Sequence, residues 1–224
     1  MIKSPILFNH DDQLLINLEC DKVDFSSLSW SAEHLKPLKD KIKAHYLSKH
    51  IQNNRCPYCR INLHTQHGRV WDIEHIIPRS HAPYFMFEPY NLCLSCVPCN
   101  QAKSNKDITL GMLVNSKAKK SYPSESAKFK FIHPHFDNYN DHMIIIEEGL
   151  FYWALTPKGE STKIICNLDR FQKFLGISDH DANARMIITL TTASINESNI
   201  ETKKQLMSQI AALSIKCAVS IHQS

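Results

Sequence analysis

The 224-residue sequence predicts an α+β fold. Two Cys-x-x-Cys pairs enclose short runs in which apolar and polar residues alternate, the pattern of half-buried strands. Before this segment, apolar residues recur at three- to four-residue steps, which indicates an amphipathic helix. After it come a β-hairpin pattern and two long helical stretches. Strands and helices are therefore segregated along the chain, as they are in α+β proteins.

The N-terminal part, residues 1–54, is predicted to be a helical extension with one main helix over about residues 31–50. Pro37 falls in the first turns, where a helix tolerates proline. Four apolar side chains would form the buried face of this helix: Leu35, Leu38, Ile42 and Tyr46.

The cysteine spacing predicts a structural zinc site. Cys-x-x-Cys pairs place two thiolates on one tight turn, and structural Zn²⁺ takes four such ligands. A single pair also occurs in redox proteins, but two pairs around a segment without a βαβ pattern favour zinc. The predicted ligands are Cys56, Cys59, Cys96 and Cys99.

The segment between the two cysteine pairs carries the residues suited to chemistry. Residues 70–78 alternate like a strand, which would place Asp72 and Glu74 on one face and His75 on the other. Asn91 begins a second short extended run, and Asn100 opens a helical stretch after the second cysteine pair. The predicted local order is strand, loop, strand, helix.

Residues 56–106, about a quarter of the chain, resemble the zinc-containing HNH endonucleases of the ββα-metal class. The resemblance rests on Cys-x-x-Cys, then Glu74-His75-Ile-x-Pro, then Asn91-Leu, then Cys-x-x-Cys-Asn100-x-x-Lys103. It implies that His75 is the general base and that Asn91 is a scaffold for the loop and the histidine. It further implies that Glu74 and Asn100 bind a catalytic divalent cation.

Phosphodiester hydrolysis requires these residue types. A neutral histidine can accept the proton of water near pH 7, and a cation with few protein ligands keeps positions open for water and phosphate. Carboxylate and amide oxygens favour Mg²⁺ or Mn²⁺ as that cation. The family often has Asp at the position of Glu74. Asp72 is a second candidate ligand, or else a solvated strand residue.

The charge distribution is informative only locally, because the net charge is +4. Seven lysines lie between residues 103 and 130, and five more lie between residues 36 and 49. Beside an HNH core these clusters favour contact with the phosphate backbone, although solvated surfaces would look the same. The predicted nucleic-acid contacts are Lys103, Lys106, Lys119 and Lys120.

Residues 55–132 would then form the nuclease module with its basic tail, and residues 133–224 a separate α+β region. In the latter we expect a hairpin turning at Gly149, a third strand over residues 161–166, and helices over residues 179–194 and 200–222. His133-Pro-His135-Phe-Asp137 favours a structural role, with phosphate contact or docking as alternatives. This region resembles small HNH proteins encoded beside an ATPase in Septu-type and retron-associated anti-phage systems. That resemblance implies an ATPase partner docked on the C-terminal region.

The composition of the chain restricts where the protein can act. No long apolar run predicts a membrane span, and four cysteines in metal-binding pairs fit a reducing cytoplasm. The best-supported hypothesis is a metal-dependent DNA endonuclease that acts in a defence complex. Two alternatives stay open: an RNA-cleaving HNH effector directed at tRNA, for example, and a zinc nucleic-acid-binding module that does not cut.

Overall fold

The structure is a computed structural model and describes residues 1–64, 70–111, 121–177 and 179–221. Helices and two small two-stranded sheets make up this part of the chain, which confirms the α+β class. The helices are α1 His10–Cys20, α2 Lys36–Leu47, α3 Val97–Lys103, α4 Pro157–Ile165, α5 Arg170–Phe174, α6 Asp179–Asn196 and α7 Ile200–Ile221; the strands are β1 Trp71–His75, β2 Leu92–Cys96, β3 Met143–Glu147 and β4 Phe151–Ala154.

The chain divides into two compact units. The first comprises Met1–Met143 and Ala154–Asn167, and the second comprises Ile144–Trp153 and Leu168–Ser224. The boundaries predicted after residues 54 and 132 both fall inside the first unit. The division into three parts stays a prediction.

Strands β1 and β2 pair antiparallel, and α3 follows β2 without a connecting loop. The register places Trp71 opposite Cys96 and His75 opposite Leu92. Pro98 lies in the first turn of α3, where its missing N–H costs no helical hydrogen bond. The observed order of strand, loop, strand and helix confirms the prediction for this segment.

Helix α2 packs its predicted apolar face inward. It begins at Lys36, later than predicted. It also ends earlier than predicted, because Ser48 leaves the helical conformation at ψ 141°. The hydroxyl of Tyr46 donates to the Pro89 carbonyl at 3.3 Å, just before β2. The four side chains predicted for the buried face are each at most 2% exposed: Leu35, Leu38, Ile42 and Tyr46.

Helix α1 was not predicted. Its start is a capping box, in which the Asn9 side chain accepts from the Asp12 backbone N–H and the Asp12 carboxylate accepts from the Asn9 N–H. This signal is visible in the sequence as Asn-x-x-Asp.

The third strand predicted over residues 161–166 is wrong, because these residues belong to α4 and its C-terminal cap. Thr156 caps the start of the helix by accepting from the Gly159 N–H at 3.3 Å, and Pro157 occupies its first turn. A capping threonine followed by proline is a helix-start signal.

The second unit contains the predicted hairpin and the predicted pair of long helices. Gly149 adopts φ +87° in the turn between β3 and β4, a conformation that favours glycine. Helices α6 and α7 lie where they were predicted, within two residues at each end. Their core contains Phe151, Ala182, Met186, Leu190 and Leu213, each at most 5% exposed.

The histidine-rich run after residue 132 is buried in the first unit. Asp137 accepts from Lys158 Nζ at 2.9 Å and from the His133 backbone N–H at 2.7 Å. His135 Nε2 donates to the Leu92 carbonyl at 2.8 Å, which ties this run to β2. These contacts give the run the structural role that the sequence favoured.

Candidate active site and zinc centre

The four predicted zinc ligands converge on one point. Cys56 and Cys59 come from the turn before β1, Cys96 ends β2, and Cys99 lies in α3. Their sulfur atoms all lie within 4.8 Å of one another, and all four side chains are buried. The Cys59 and Cys96 sulfurs are 3.7 Å apart. A tetrahedral Zn²⁺ with bonds of about 2.3 Å separates its sulfur ligands by about 3.8 Å. The site therefore has the dimensions of a four-thiolate zinc centre.

The close spacing of the four sulfur atoms also favours a bound cation. The neighbouring thiols, Cys56 first, raise the pKa of Cys99 above its ordinary value. Four thiolates at this spacing repel one another unless a divalent cation lies among them, and such a cation deprotonates its thiol ligands. A backbone N–H from Cys96 approaches the Cys56 sulfur at 3.5 Å, a contact that stabilises a thiolate.

His75 ends β1 at the floor of a cleft. Its Nε2 lies 3.2 Å from the Met86 carbonyl oxygen. A carbonyl oxygen can only accept, so Nε2 carries the proton and the Nδ1 lone pair remains as the base. The Trp30 ring meets the imidazole edge-on at a centroid distance of 4.6 Å. Burial, with the nearby charges of Arg79 and Lys103, lowers the pKa of His75 to about 3. The imidazole is consequently neutral at physiological pH.

Asn91 joins the two ends of the loop that leaves β1 and returns to β2. Its Oδ1 accepts from the Ile77 N–H at 2.6 Å, and its Nδ2 donates to the Ile77 and Phe85 carbonyls at 3.2 and 2.9 Å. The Asn91 carbonyl also accepts from the Ile76 N–H. The side chain is fully buried, so these bonds hold the backbone directly after His75.

Asp72 and Asn100 meet across β1 and α3. The Asn100 Nδ2 donates to Asp72 Oδ2 at 2.8 Å, and both side chains are half-buried and line the cleft that contains His75. A carboxylate and an amide oxygen at the wall of a cleft form a donor set suited to Mg²⁺ or Mn²⁺. This pair thus fits a hard divalent cation.

Glu74, the predicted main cation ligand, also lines the cleft, and it is held in a buried ion pair. Its Oε1 accepts from Lys103 Nζ at 2.7 Å and from the Tyr58 hydroxyl at 3.1 Å, and the residue is 2% exposed. Burial raises the pKa of Glu74, and the Lys103 ammonium opposes that rise. The cation-binding roles of Glu74 and Asp72 stay predictions.

The prediction that Lys103 contacts nucleic acid is wrong. The side chain is 1% exposed, and its ammonium donates to Glu74 and to the His75 carbonyl. Lys106 is exposed but donates to the Ile165 carbonyl at 3.1 Å. Lys119 and Lys120 lie outside the described residues.

The cleft has a volume of about 630 Å³, and one of its walls comes from the N-terminal extension. Arg79 donates to the Ser27 carbonyl at 2.8 Å, which fastens that wall to the segment after His75. Sequence reasoning missed Trp30 and Arg79, since neither belongs to a spacing motif. It included the lysines of α2 only as a general basic cluster. Four cationic side chains line the cleft: Lys36, Lys39, Lys43 and Arg79.

Comparison with known proteins agrees with this site. The family model for HNH endonucleases matches residues 56–106. No curated protein and no solved structure gives a significant match. The matched domain and the four-cysteine cluster fit an HNH family member, and the domain indicates nuclease-type activity on nucleic acid. Within the described residues, no helix combines the length and the apolar character needed to cross a membrane.

Proposed function

We propose that this protein is an HNH endonuclease that hydrolyses phosphodiester bonds in DNA with the aid of Mg²⁺ or Mn²⁺. One observation carries the proposal: Asp72, His75 and Asn100 line the same cleft, beside a four-thiolate centre that fixes β2 and α3. A module that only binds nucleic acid has no need of a base and a hard-cation site on one wall.

His75 acts as the general base. With Nε2–H held by the Met86 carbonyl, Nδ1 accepts the proton of the attacking water. Its low pKa keeps the imidazole unprotonated, while burial and the Trp30 edge limit its rotation. Asn91 holds the backbone after His75 and so fixes where the imidazole points.

Glu74 and Asn100, with Asp72 as a further ligand, would hold the catalytic cation. When bound, such a cation neutralises charge on the phosphate and lowers the pKa of water. Zn²⁺ at the four cysteines would have a structural role, because a site closed by four thiolates leaves no position for substrate.

The cleft cations supply contact with the phosphate backbone. Lys43 is exposed and Arg79 is anchored through Ser27, so both can present charge to a nucleic acid bound against His75. Contacts of this kind carry no base information, so we expect low sequence specificity and a marked dependence on salt.

The biological setting is proposed from the second resemblance. The C-terminal region is similar to HNH proteins encoded beside an ATPase in anti-phage systems. We propose that this chain is the nuclease effector of such a complex, docked to an ATPase through its second unit. The zinc thiolates suit a reducing cytoplasm.

The test is nicking of supercoiled plasmid by purified protein with Mg²⁺ or Mn²⁺. Wild type should nick the plasmid, and His75→Ala should not. Asp72→Asn should raise the Mn²⁺ concentration needed for half-maximal activity at least tenfold. His10→Ala, which removes an exposed histidine that does not line the cleft, is the matched control and should cut like wild type.

A tRNA substrate assayed in parallel separates the alternative. Cleavage of tRNA with intact plasmid would replace DNA by RNA as the substrate. Cleavage by His75→Ala at the wild-type rate would remove the base assignment.

A further inference from the structure

We infer that Arg55 and Arg60 line a second ligand site, which binds the phosphate group of a nucleotide. The site is a pocket of about 300 Å³ in the first unit. Within the described part of the chain, this pocket shares no lining residue with the cleft that contains His75. The inference therefore goes beyond the proposed function and does not depend on it.

The pocket lies beside the first zinc-binding turn. Pro57 forms part of its wall, and Arg60 directly follows the zinc ligand Cys59. Another part of the wall is Gln52, which is 8% exposed. The Gln52 amide group pairs with both the N–H and the carbonyl of Leu94 in β2, at 2.8 Å each. The pocket therefore has a rigid frame, built from the zinc-binding turn and from β2.

Arg60 presents a pre-oriented guanidinium group. Its Cζ lies 5.4 Å from the centroid of the Tyr139 ring. That ring is itself fixed, since Tyr139 is 4% exposed and its hydroxyl donates to the Tyr58 carbonyl at 2.9 Å. Stacking uses the flat face of a guanidinium, whereas its N–H groups donate in the plane, so one guanidinium can stack and bind an anion together. A side chain held in this way loses little freedom when a ligand binds.

The backbone of Arg60 is strained, which indicates that the side chain has a role of its own. Its φ is +60°, in the left-handed region that favours glycine. The zinc-binding turn imposes this conformation, because the Arg60 N–H donates to the Cys56 carbonyl at 2.9 Å. A residue with a Cβ is disfavoured there, so glycine would form the same turn with less strain. The arginine side chain thus supplies something that the turn does not need.

Arg55 supplies a second positive charge. Its Nη1 donates to the Arg60 carbonyl at 3.0 Å, and both side chains line the pocket. Two guanidinium groups at one pocket repel each other, and an anion between them offsets that repulsion. Of the described lining residues, Asp137 is the acidic one, and Lys158 neutralises it by donating to both carboxylate oxygens at 3.1 and 2.9 Å. The pocket therefore keeps a net positive charge.

The shape and the apolar wall of the pocket favour a nucleotide over a bare anion. Arginine matches the oxygen geometry of phosphate, and the neighbouring apolar surface suits a sugar or a base. A volume of about 300 Å³ is at the lower end for ligand pockets, which suits a mononucleotide. The phosphate has two sources: a free nucleotide, or the phosphorylated end of a nucleic-acid strand. The apolar part of the wall consists of Ile51, Pro57, Ile132 and Pro134.

Calorimetric titration of the zinc-loaded protein, without added Mg²⁺ or Mn²⁺, tests the site. We expect AMP and inorganic phosphate to bind, and adenosine to bind at least tenfold more weakly than AMP. Arg60→Gln should weaken AMP binding about 10- to 100-fold, the range for loss of a hydrogen-bonded charge. The matched control is Arg185→Gln, which makes the same change at an exposed arginine of α6 and should bind AMP like wild type.

A second variant keeps the inference testable if Arg60→Gln loses zinc. Asn53 lines the pocket, is exposed and has a φ of +50°, a conformation that aspartate also tolerates. Asn53→Asp should retain zinc and weaken AMP binding several-fold, because it adds a negative charge beside the phosphate. Lys43→Gln tests the location of binding: it removes a charge from the cleft and should leave AMP binding unchanged.

The source of the phosphate is identified with one tetranucleotide in 5′-phosphorylated and 5′-hydroxyl forms. Tighter binding of the phosphorylated form than of AMP would support the site with a strand end as its ligand, and tighter binding of AMP would support a free nucleotide. Wild type that binds neither AMP, nor phosphate, nor the phosphorylated tetranucleotide would overturn the inference. Equal affinity for adenosine and AMP would overturn it too, as would wild-type AMP affinity in both Arg60→Gln and Asn53→Asp. Loss of AMP binding in Lys43→Gln alone would assign the nucleotide to the cleft and reject the second site.

Discussion

Replacement of Asn91 by alanine should destabilise the first unit by about 3 kcal/mol. The side chain is fully buried and makes three hydrogen bonds to two backbone stretches, at Ile77 and Phe85. Its loss leaves one N–H and two carbonyls without that partner. Each buried group costs about 1–3 kcal/mol when its partner is removed, and the low end applies where water can enter the vacated space.

Replacement of Asn91 by aspartate sharpens this prediction, because aspartate keeps the oxygen that accepts from Ile77 N–H. Its second oxygen would face two carbonyl oxygens unless the carboxyl takes up a proton. Protonation at pH 7 requires a pKa about three units above the ordinary value, which costs about 4 kcal/mol. The aspartate variant should therefore be less stable than the alanine variant at pH 7.

The pH dependence of this difference has a definite sign. The carboxyl of the folded aspartate variant binds a proton at pH values where the unfolded chain does not. Its stability relative to the alanine variant should consequently rise by about 1.4 kcal/mol for each unit of acidification below pH 7, until the unfolded carboxyl also titrates near pH 4.

Urea unfolding of zinc-loaded protein at pH 7 and pH 6 measures both effects. Asn138→Ala is the matched control, because its exposed side chain makes one hydrogen bond to Asp141 and should change stability by less than about 0.5 kcal/mol. The reasoning is refuted if Asn91→Ala costs under about 1 kcal/mol, the low end for a single buried group, or if Asn91→Asp is as stable as wild type at pH 7.

Three further predictions concern the rest of the first unit. Cys59→Ser should lose zinc and cooperative unfolding of this unit, because metal binding in four-thiolate sites contributes about 10 kcal/mol or more to folding; a folded, zinc-free variant in metal analysis would contradict the structural centre. Burial lowers the folded pKa of His135 to about 4, below the unfolded value, so wild type loses stability as pH falls from about 6.5 towards 4. His135→Gln should remove about 1.2 kcal/mol of that loss between pH 7 and 5.5 in urea unfolding, and an equal loss in both proteins would count against burial of a neutral imidazole. Gly159→Ala should lower the midpoint of thermal unfolding although alanine favours helices, because its Cβ would overlap the His142 carbonyl oxygen; a stabilised variant would show that α4 does not pack as described.

The parts of the site that sequence predicted depend on local spacing. The cysteine pairs, the strand that ends at His75 and the helix that carries Asn100 each follow from residues within a few positions of one another. Helix α2 was predicted for the same reason, since Leu38, Ile42 and Tyr46 repeat at helical intervals. Local patterns of this kind determine which elements form and which of their faces are buried.

The parts that sequence did not predict depend on distant partners. Alternation along β1 places Asp72 and Glu74 on one face and cannot choose between them as ligands. It also does not reveal that Lys103, 28 positions from His75 in sequence, forms a buried ion pair with Glu74. Arg79 and Ser27, separated by 52 positions, build the cleft wall in the same way. The error at α4 was different, because its Thr-Pro start signal was local and was misassigned.

The contact between Trp30 and His75 gives the protein an intrinsic optical probe. The indole is half-buried, lines the cleft and lies edge-on to the imidazole at 4.6 Å. Of the two other tryptophans, Trp71 is in β1 and Trp153 is in the second unit. Replacing both with phenylalanine would leave Trp30 as the single tryptophan of the sequence. Its emission would then report entry of a nucleic acid into the cleft before any bond is broken, so that binding and cleavage can be timed separately in a stopped-flow experiment.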